Sequence, residues 1–171
     1  LIRPYKGVDL LMEAFQKLIK KRKRIKLIIA GECNDYQIKK LIKQYKGELE
    51  DALITNIYHI KDDDIQYYLK ASNILVLPFR KVTTSSTAIL GLSFGKPLIA
   101  PRIGELNELP ETVGFFYNIE DQYGLIQAME KAIDYRNNLS KIEHRALEYS
   151  KQLSWPKISQ RTFSLYTSLL E

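Results

Sequence analysis

Three short runs that are apolar at every position constrain this chain more than any other feature. They are Leu27-Ile-Ile-Ala30, Ile74-Leu-Val-Leu77 and Leu98-Ile-Ala100. A strand with one wet face alternates apolar and polar residues; a strand apolar throughout is covered on both faces. Helical patterns stand between the runs. Val8, Leu11, Met12, Phe15, Leu18 and Ile19 follow the i, i+3, i+4, i+7 rhythm of a helix with one buried stripe. Strand and helix patterns in alternation imply a parallel sheet with helices on both faces. The expected fold is therefore a doubly wound α/β domain, with further helices at the C-terminus.

Turn and cap residues place the remaining elements. Strand Lys26–Ala30 ends at Gly31, and Asn34 or Asp35 caps a second helix running to about Lys46. Ile54–Ile60 is β-branched and aromatic and reads as a second strand. Asp62, Asp63 and Asp64 supply negative charge for a helix near 64–71. Asn73–Pro78 is a third strand. Thr83–Thr87 opens a fourth helix that ends at Gly95, and strand Pro97–Pro101 follows. A turn over Glu105–Pro110 leads to a strand near Gly114–Tyr117. Leu125, Ile126, Met129, Ala132 and Ile133 mark the next helix, and two more cover about 140–152 and 156–170. Trp155, before Pro156, is expected to staple the last helix to the body.

Composition removes several functions. The one cysteine, Cys33, and the two histidines, His59 and His144, exclude a cysteine-based zinc site and a metal cluster. No apolar run approaches the roughly 20 residues that span a bilayer. The net charge of +6 favours anionic ligands without choosing among them. The run Lys20–Lys26 lacks the interleaved aromatics of a nucleic-acid surface and reads as a solvated helix end. With 171 residues and no initiator Met, the chain is expected to be one domain, 1–171, cut from a longer protein.

In doubly wound folds ligands bind at the carboxyl ends of the strands. That rule singles out four loops. Arg3-Pro-Tyr-Lys6-Gly7 puts two cations and a glycine before a helix, which suits a phosphate. Gly31 ends a strand where the backbone can approach a ligand. Arg80-Lys-Val-Thr-Thr-Ser-Ser-Thr87 sets a run of hydroxyls at a helix start, with Arg80 or Lys81 to offset an anion. One such residue suffices as a cap, so the run exceeds what capping needs. Glu105, in the fourth loop, offers a carboxylate either to sugar or ribose hydroxyls or to a helix dipole.

In order along the chain, further residues carry a resemblance. Arg3-x-x-Lys6-Gly7-Val-Asp-Leu-Leu-Met-Glu-Ala-Phe15, Leu27-Ile-Ile-Ala-Gly31 and Asp64-Ile-x-x-Tyr-Leu-x-Ala-Ser-Asn-Ile-Leu-Val-Leu-Pro78 are its first part. Gly95-Lys-Pro-Leu-Ile-Ala100, Gly104-x-x-x-Glu108 and Gly114-Phe-Phe-Tyr-Asn118 follow. Together they resemble the C-terminal, donor-binding half of group 1 glycosyltransferases (family 4, GT-B fold). The resemblance implies a Rossmann-like domain that holds a nucleoside-diphosphate sugar as substrate, with no metal or other cofactor. It places Arg3, Lys6, Thr84, Ser85, Ser86 and Thr87 on the donor diphosphate. Gly31, Tyr58, Ile60 and Leu90 fall at the nucleoside, and Val82, Thr83 and Glu105 at the donor sugar.

One departure stands out. Most of the family carry two glutamates separated by seven residues, and alignment on Gly95-Lys-Pro97 puts Val82 and Leu90 there. Two readings stay open on this ground. One is glycosyl transfer when the chain is joined to its own N-terminal GT-B domain, which supplies the acceptor side and any catalytic base; the fragment alone is then inactive. The other is a catalytically degenerate pseudo-transferase serving as a regulatory or interaction subunit. The first implies an acceptor sugar or lipid-linked glycan, a cytoplasmic location with contact at the inner face of the membrane, and no nucleic acid.

Overall fold

A computed structural model of the chain describes residues 1–169. It opens with a short 3-10 turn, Pro4–Lys6, and then alternates helix and strand: α1 (Val8–Lys21), β1 (Leu27–Ala30), α2 (Tyr36–Leu49), β2 (Leu53–Asn56), α3 (Asp62–Ala71) and β3 (Leu75–Val76). The second part holds α4 (Ser86–Ser93), β4 (Leu98–Pro101), β5 (Gly114–Tyr117), α5 (Gly124–Asp134), α6 (Leu139–Gln152) and α7 (Trp155–Ser168). Every strand pair is parallel. The pairs form two ladders, β1-β2 and β3-β4-β5. The leading segment lies between the carboxyl ends of β1 and β3. Ile2 makes an isolated parallel bridge with Cys33, its N–H donating to the Glu32 carbonyl (2.7 Å), and Arg80 N–H donates to the Tyr5 carbonyl (2.8 Å).

The apolar runs do what continuous hydrophobicity demands. Leu98 and Ala100 lie in a cluster with Leu92 of α4 and Ala146 of α6. Ile99, between them, lies in the other cluster, with Met12 and Phe15 of α1, Ile42 of α2 and Met129 of α5. β4 is thus buried on both faces, and each large aliphatic side chain removed from water contributes about 1.5–3 kcal/mol. Asp35 caps α2, its carboxylate accepting from Ile38 N–H at 3.0 Å. The basic run closes α1, and two of its members reach α5: Lys21 to Glu130 at 3.3 Å and Arg22 to Asp134 at 2.7 Å.

Several boundaries differ from expectation. β2 ends at Asn56, not Ile60, because β1 ends at Ala30 and offers no partner beyond. β3 has two residues instead of the stretch 73–78; Pro78 has no N–H for a ladder, and Phe79 N–H turns back to the Leu77 carbonyl. The fourth helix starts at Ser86, not Thr83. Trp155 does not staple anything: it is 82% exposed, and no residue of α7 among those described is buried. Its neighbour Pro156 instead lies in the first turn of α7, where proline is tolerated because that N–H has no partner within the helix. The expected end of this helix at residue 170 lies outside the described residues.

Candidate functional site

The first loop brings a desolvated cation to the carboxyl ends of the strands. Arg3, Pro4, Tyr5 and Lys6 turn tightly, with Lys6 N–H on the Arg3 carbonyl (3.0 Å) and Gly7 N–H on the Pro4 carbonyl (3.1 Å). Gly7 has φ +68°, and a Cβ there would sit on the Pro78 carbonyl oxygen, so only glycine brings α1 this close to the end of β3. Lys6 is half-buried, with its ammonium 6.0 Å from the centroid of the Phe79 ring. Among the described residues it has no ion-pair partner. Burial, and then the neighbouring Arg3, hold its pKa below the usual lysine value. Arg3 itself is exposed.

The third loop is tied to the first. Arg80 grips Asp9, in the first turn of α1, through two hydrogen bonds of 2.7 and 2.5 Å, and also donates to the Pro4 carbonyl at 3.2 Å. The hydrogen bond from Arg80, helped by its charge, holds the Asp9 carboxyl below its ordinary value. Arg80 is therefore already paired and is not the counter-cation the sequence offered; Lys81 is exposed and makes no ion pair among the described residues. Ser85 is buried and caps α4, its Oγ accepting from Ala88 N–H at 3.2 Å. The hydroxyls of Thr84, Ser86 and Thr87 make no hydrogen bond among the described residues. The N–H groups of Ser86 and Thr87, orphans of the first helical turn, are likewise open.

The fourth loop closes on the third. Glu105 N–H donates to the Thr83 carbonyl at 3.0 Å, and its carboxylate accepts from Ser85 N–H at 2.5 Å. Gly104 (φ +50°) packs against Val82 so closely that a Cβ would meet the Val82 carbonyl oxygen. Arg102 holds this turn from behind. Its guanidinium donates to the carbonyls of Leu106, Asn107 and Leu109, pairs with Glu111, and lies 3.9 Å from the Phe116 ring centroid. Sequence reading gave Arg102 no role, because the carbonyls it serves are visible only once the turn is folded.

The remaining candidates sit near the ends of β1 and β2 and on α4. Gly31 N–H donates to the Asn56 carbonyl at 3.0 Å, and Gly31 lies beside Ile2. Tyr58 is more than half exposed, its hydroxyl 3.3 Å from that of Tyr68, which also accepts from Asn56 Nδ2 at 3.0 Å. The contact with Tyr68 raises the Tyr58 phenol. Ile60 is half-buried, and Leu90 lies exposed on α4, one turn after Ser86. Hydrogen bonds thus join the first, third and fourth loops, which carry Arg3, Lys6, Val82–Ser85 and Glu105, into one group; a separate chain through Asn56 and Tyr68 links Gly31 to Tyr58, and Ile60 and Leu90 belong to neither. A mainly apolar cavity of about 130 Å³ opens beside these loops, between Leu10 and Ala14 of α1 and Tyr117 and Ile119 at the end of β5. None of the expected site residues lines it. Burial raises the Tyr117 phenol there. Among the described residues no group of three or more His, Cys, Asp or Glu could hold a metal ion.

Comparison with known proteins adds what geometry alone does not give. The family model for glycosyl transferases group 1 matches residues 1–135. A GDP-mannose:glycolipid 4-beta-D-mannosyltransferase of Xanthomonas campestris pv. campestris is 26% identical over 175 residues, covering 99% of this chain and 47% of its own length. The structure of a glycosyltransferase from Rickettsia africae superposes with TM-score 0.81 at 20% identity, over 99% of this chain and 46% of its own. Anabaena HepE in complex with UDP-glucose gives 0.79 at 18%, over 98% and 46%. These structural likenesses show the fold. The chain spans about half the length of the curated relatives it matches.

Proposed function

The chain belongs to the group 1 glycosyl transferases, and on that premise we propose that it is the half of a glycosyltransferase that holds a nucleoside-diphosphate sugar. One observation carries the reading: Lys6 is a half-buried cation with no carboxylate partner among the described residues, beside Arg3 in a loop that Arg80 ties to the segment leading into α4, whose first N–H groups are open. Burying an ammonium without a counter-charge costs stability. A bound diphosphate supplies the missing charge.

In this reading Lys6 and Arg3 take the diphosphate from one side. Ser86 and Thr87, with their open N–H groups, and Thr84 take it from the other, while Ser85 shapes the loop from within. Gly31, Tyr58, Ile60 and Leu90 lie toward the nucleoside, and Val82, Thr83 and Glu105 toward the sugar. The chemistry asked of this half is electrostatic. As the glycosidic bond breaks, charge grows on the departing diphosphate, and pre-placed cations and N–H groups stabilise it without rearrangement. No metal is needed for that step. The acceptor, a sugar or lipid-linked glycan, and any base would come from the N-terminal GT-B half, in keeping with coverage of about half of the relatives. We place the protein in the cytoplasm, at the inner face of the membrane; among the described residues no helix is long and apolar enough to cross a bilayer.

Calorimetry with UDP, GDP and ADP tests the reading on wild type and Lys6→Ala. Wild type should bind at least one of the three, and Lys6→Ala should weaken that binding at least tenfold, about the worth of one charge-assisted hydrogen bond. No binding of any of them at millimolar concentration overturns it. A catalytically degenerate pseudo-transferase is the second reading. Val82, half-buried against the core near α4, and Leu90, exposed on α4, favour it by standing where the resemblance expects acids. Binding without transfer, once the protein is joined to a competent N-terminal half, would select it.

A further inference from the structure

We infer that Glu105, on the sugar side of the donor site, also borders the outer phosphate and acts there as an electrostatic gate, placed so that it opposes the leaving nucleoside diphosphate more than the incoming nucleotide sugar. The inference rests on the donor-site reading above. Its geometry is that of a clamp. Glu105 N–H holds the Thr83 carbonyl at 3.0 Å, Gly104 packs on Val82, and one carboxylate oxygen takes Ser85 N–H at 2.5 Å. The N-terminus of α4 therefore already has an anion beside it. Ser85 N–H is occupied by Glu105, and Ala88 N–H by the Ser85 hydroxyl and carbonyl. Only the N–H groups of Ser86 and Thr87 remain open in that first turn, next to the resident carboxylate.

Two consequences follow from charge. With the site empty, the carboxylate complements the helix end and keeps loop 82–85 in place. With a diphosphate present, the same carboxylate faces a like charge in a partly desolvated site, and repulsion raises the dissociation constant. The penalty is unequal for substrate and product. In a nucleotide sugar the outer phosphate is esterified. Breaking that ester leaves a terminal phosphate with one more ionisable oxygen, hence more negative charge near neutrality. Glu105 thereby favours release of the spent diphosphate. Lys6 and Arg3 on the far side keep net attraction for either ligand.

The test compares wild type with Glu105→Gln in the full-length protein. Glutamine retains an acceptor for Ser85 N–H and removes the charge. UDP, UDP-glucose, GDP and GDP-mannose are titrated by calorimetry at low and high salt. For the base that binds, the nucleoside diphosphate should tighten about threefold to tenfold in Glu105→Gln. The nucleotide sugar should tighten less, and the difference should shrink in salt. Unchanged or weaker diphosphate binding by the folded variant, with wild-type binding intact, overturns the gate and leaves Glu105 as a structural clamp. Equal tightening for both ligands overturns its bias toward product. No binding by wild type or variant fails the donor-site reading, and the gate with it. If circular dichroism shows Glu105→Gln to be unfolded, Glu105→Met, uncharged and of similar length, decides by the same criteria.

Discussion

Two neighbours in the first loop, Lys6 and Gly7, separate function from stability. The lowered pKa of Lys6 means that its charged form is less favourable in the folded chain than in the unfolded one, where its value is that of an ordinary lysine, 10.5. The sign follows. The unfolded chain binds the proton more tightly, so the Lys6 contribution to stability is unfavourable below the folded pKa and recovers as pH rises from there toward 10.5. Lys6→Met removes the charge and keeps the stem against Phe79. It should leave the melting temperature unchanged or higher while abolishing nucleoside-diphosphate binding; a clear fall in melting temperature refutes the account of an uncompensated charge. In wild type, diphosphate affinity should weaken as pH rises through the lowered Lys6 value, before an ordinary lysine would titrate. Gly7 is purely structural. Gly7→Ala must adopt a positive φ and push a methyl into the Pro78 carbonyl, which should cost about 2–4 kcal/mol in denaturant unfolding. An effect under about 0.5 kcal/mol, the ordinary scatter of surface substitutions, would refute the close approach of α1 to β3.

Helices were more legible in the sequence than strands, for a physical reason. A buried stripe such as Leu11, Met12, Phe15 and Leu18 repeats over fourteen residues, so its period is overdetermined, and the Asp35 cap is a local hydrogen bond. A strand end depends on how far its neighbour runs. Ile57–Ile60 has the composition of a strand, yet the ladder with β1 stops at Asn56. The loops show the same division. Position near the strand ends was readable, since topology sets it, and so was the Lys6–Gly7 turn. The partners were not: Arg80 turns to Asp9 and Glu105 to Ser85 N–H across chain distances that no local pattern encodes, while the three carbonyls that Arg102 serves, four to seven residues on, converge only once their turn is folded. The element most at odds with expectation is α7. Trp155 is expected to staple it to the body, yet Trp155, Phe163, Leu165 and Tyr166 are each more than half exposed. Deleting residues 154–171 should leave the unfolding free energy of the remainder within about 0.5 kcal/mol of the intact chain, as expected where no buried contact is lost. A larger loss would mean that α7 packs on the body.

At the scale of the whole molecule, the distribution of exposed apolar surface matches the coverage of relatives. The chain accounts for 47% of the mannosyltransferase it resembles, and its largest exposed aromatic, Trp155 at 82%, lies outside both core clusters. An exposed helix stripe of this kind, bearing Trp155, Ile158, Leu165 and Tyr166, is costly to leave wet and fits an interface with another domain. The proposed donor site would make the same demand, because a diphosphate held in open loops would lack the water-free surroundings in which its leaving is stabilised most strongly. Covering α7 and closing over Lys6 would then be two effects of one docking event. Trp155 is the chain's single tryptophan and so reports on it. Joined to the N-terminal half, the protein should show a blue-shifted Trp155 emission and reduced quenching by iodide, read as the difference between wild type and Trp155→Phe. Nucleoside-diphosphate affinity should rise in the same protein. Emission from Trp155 that stays red and fully quenchable would show that α7 is not part of the interface between the halves; a blue shift with unchanged affinity would show that α7 docks without closing the donor site.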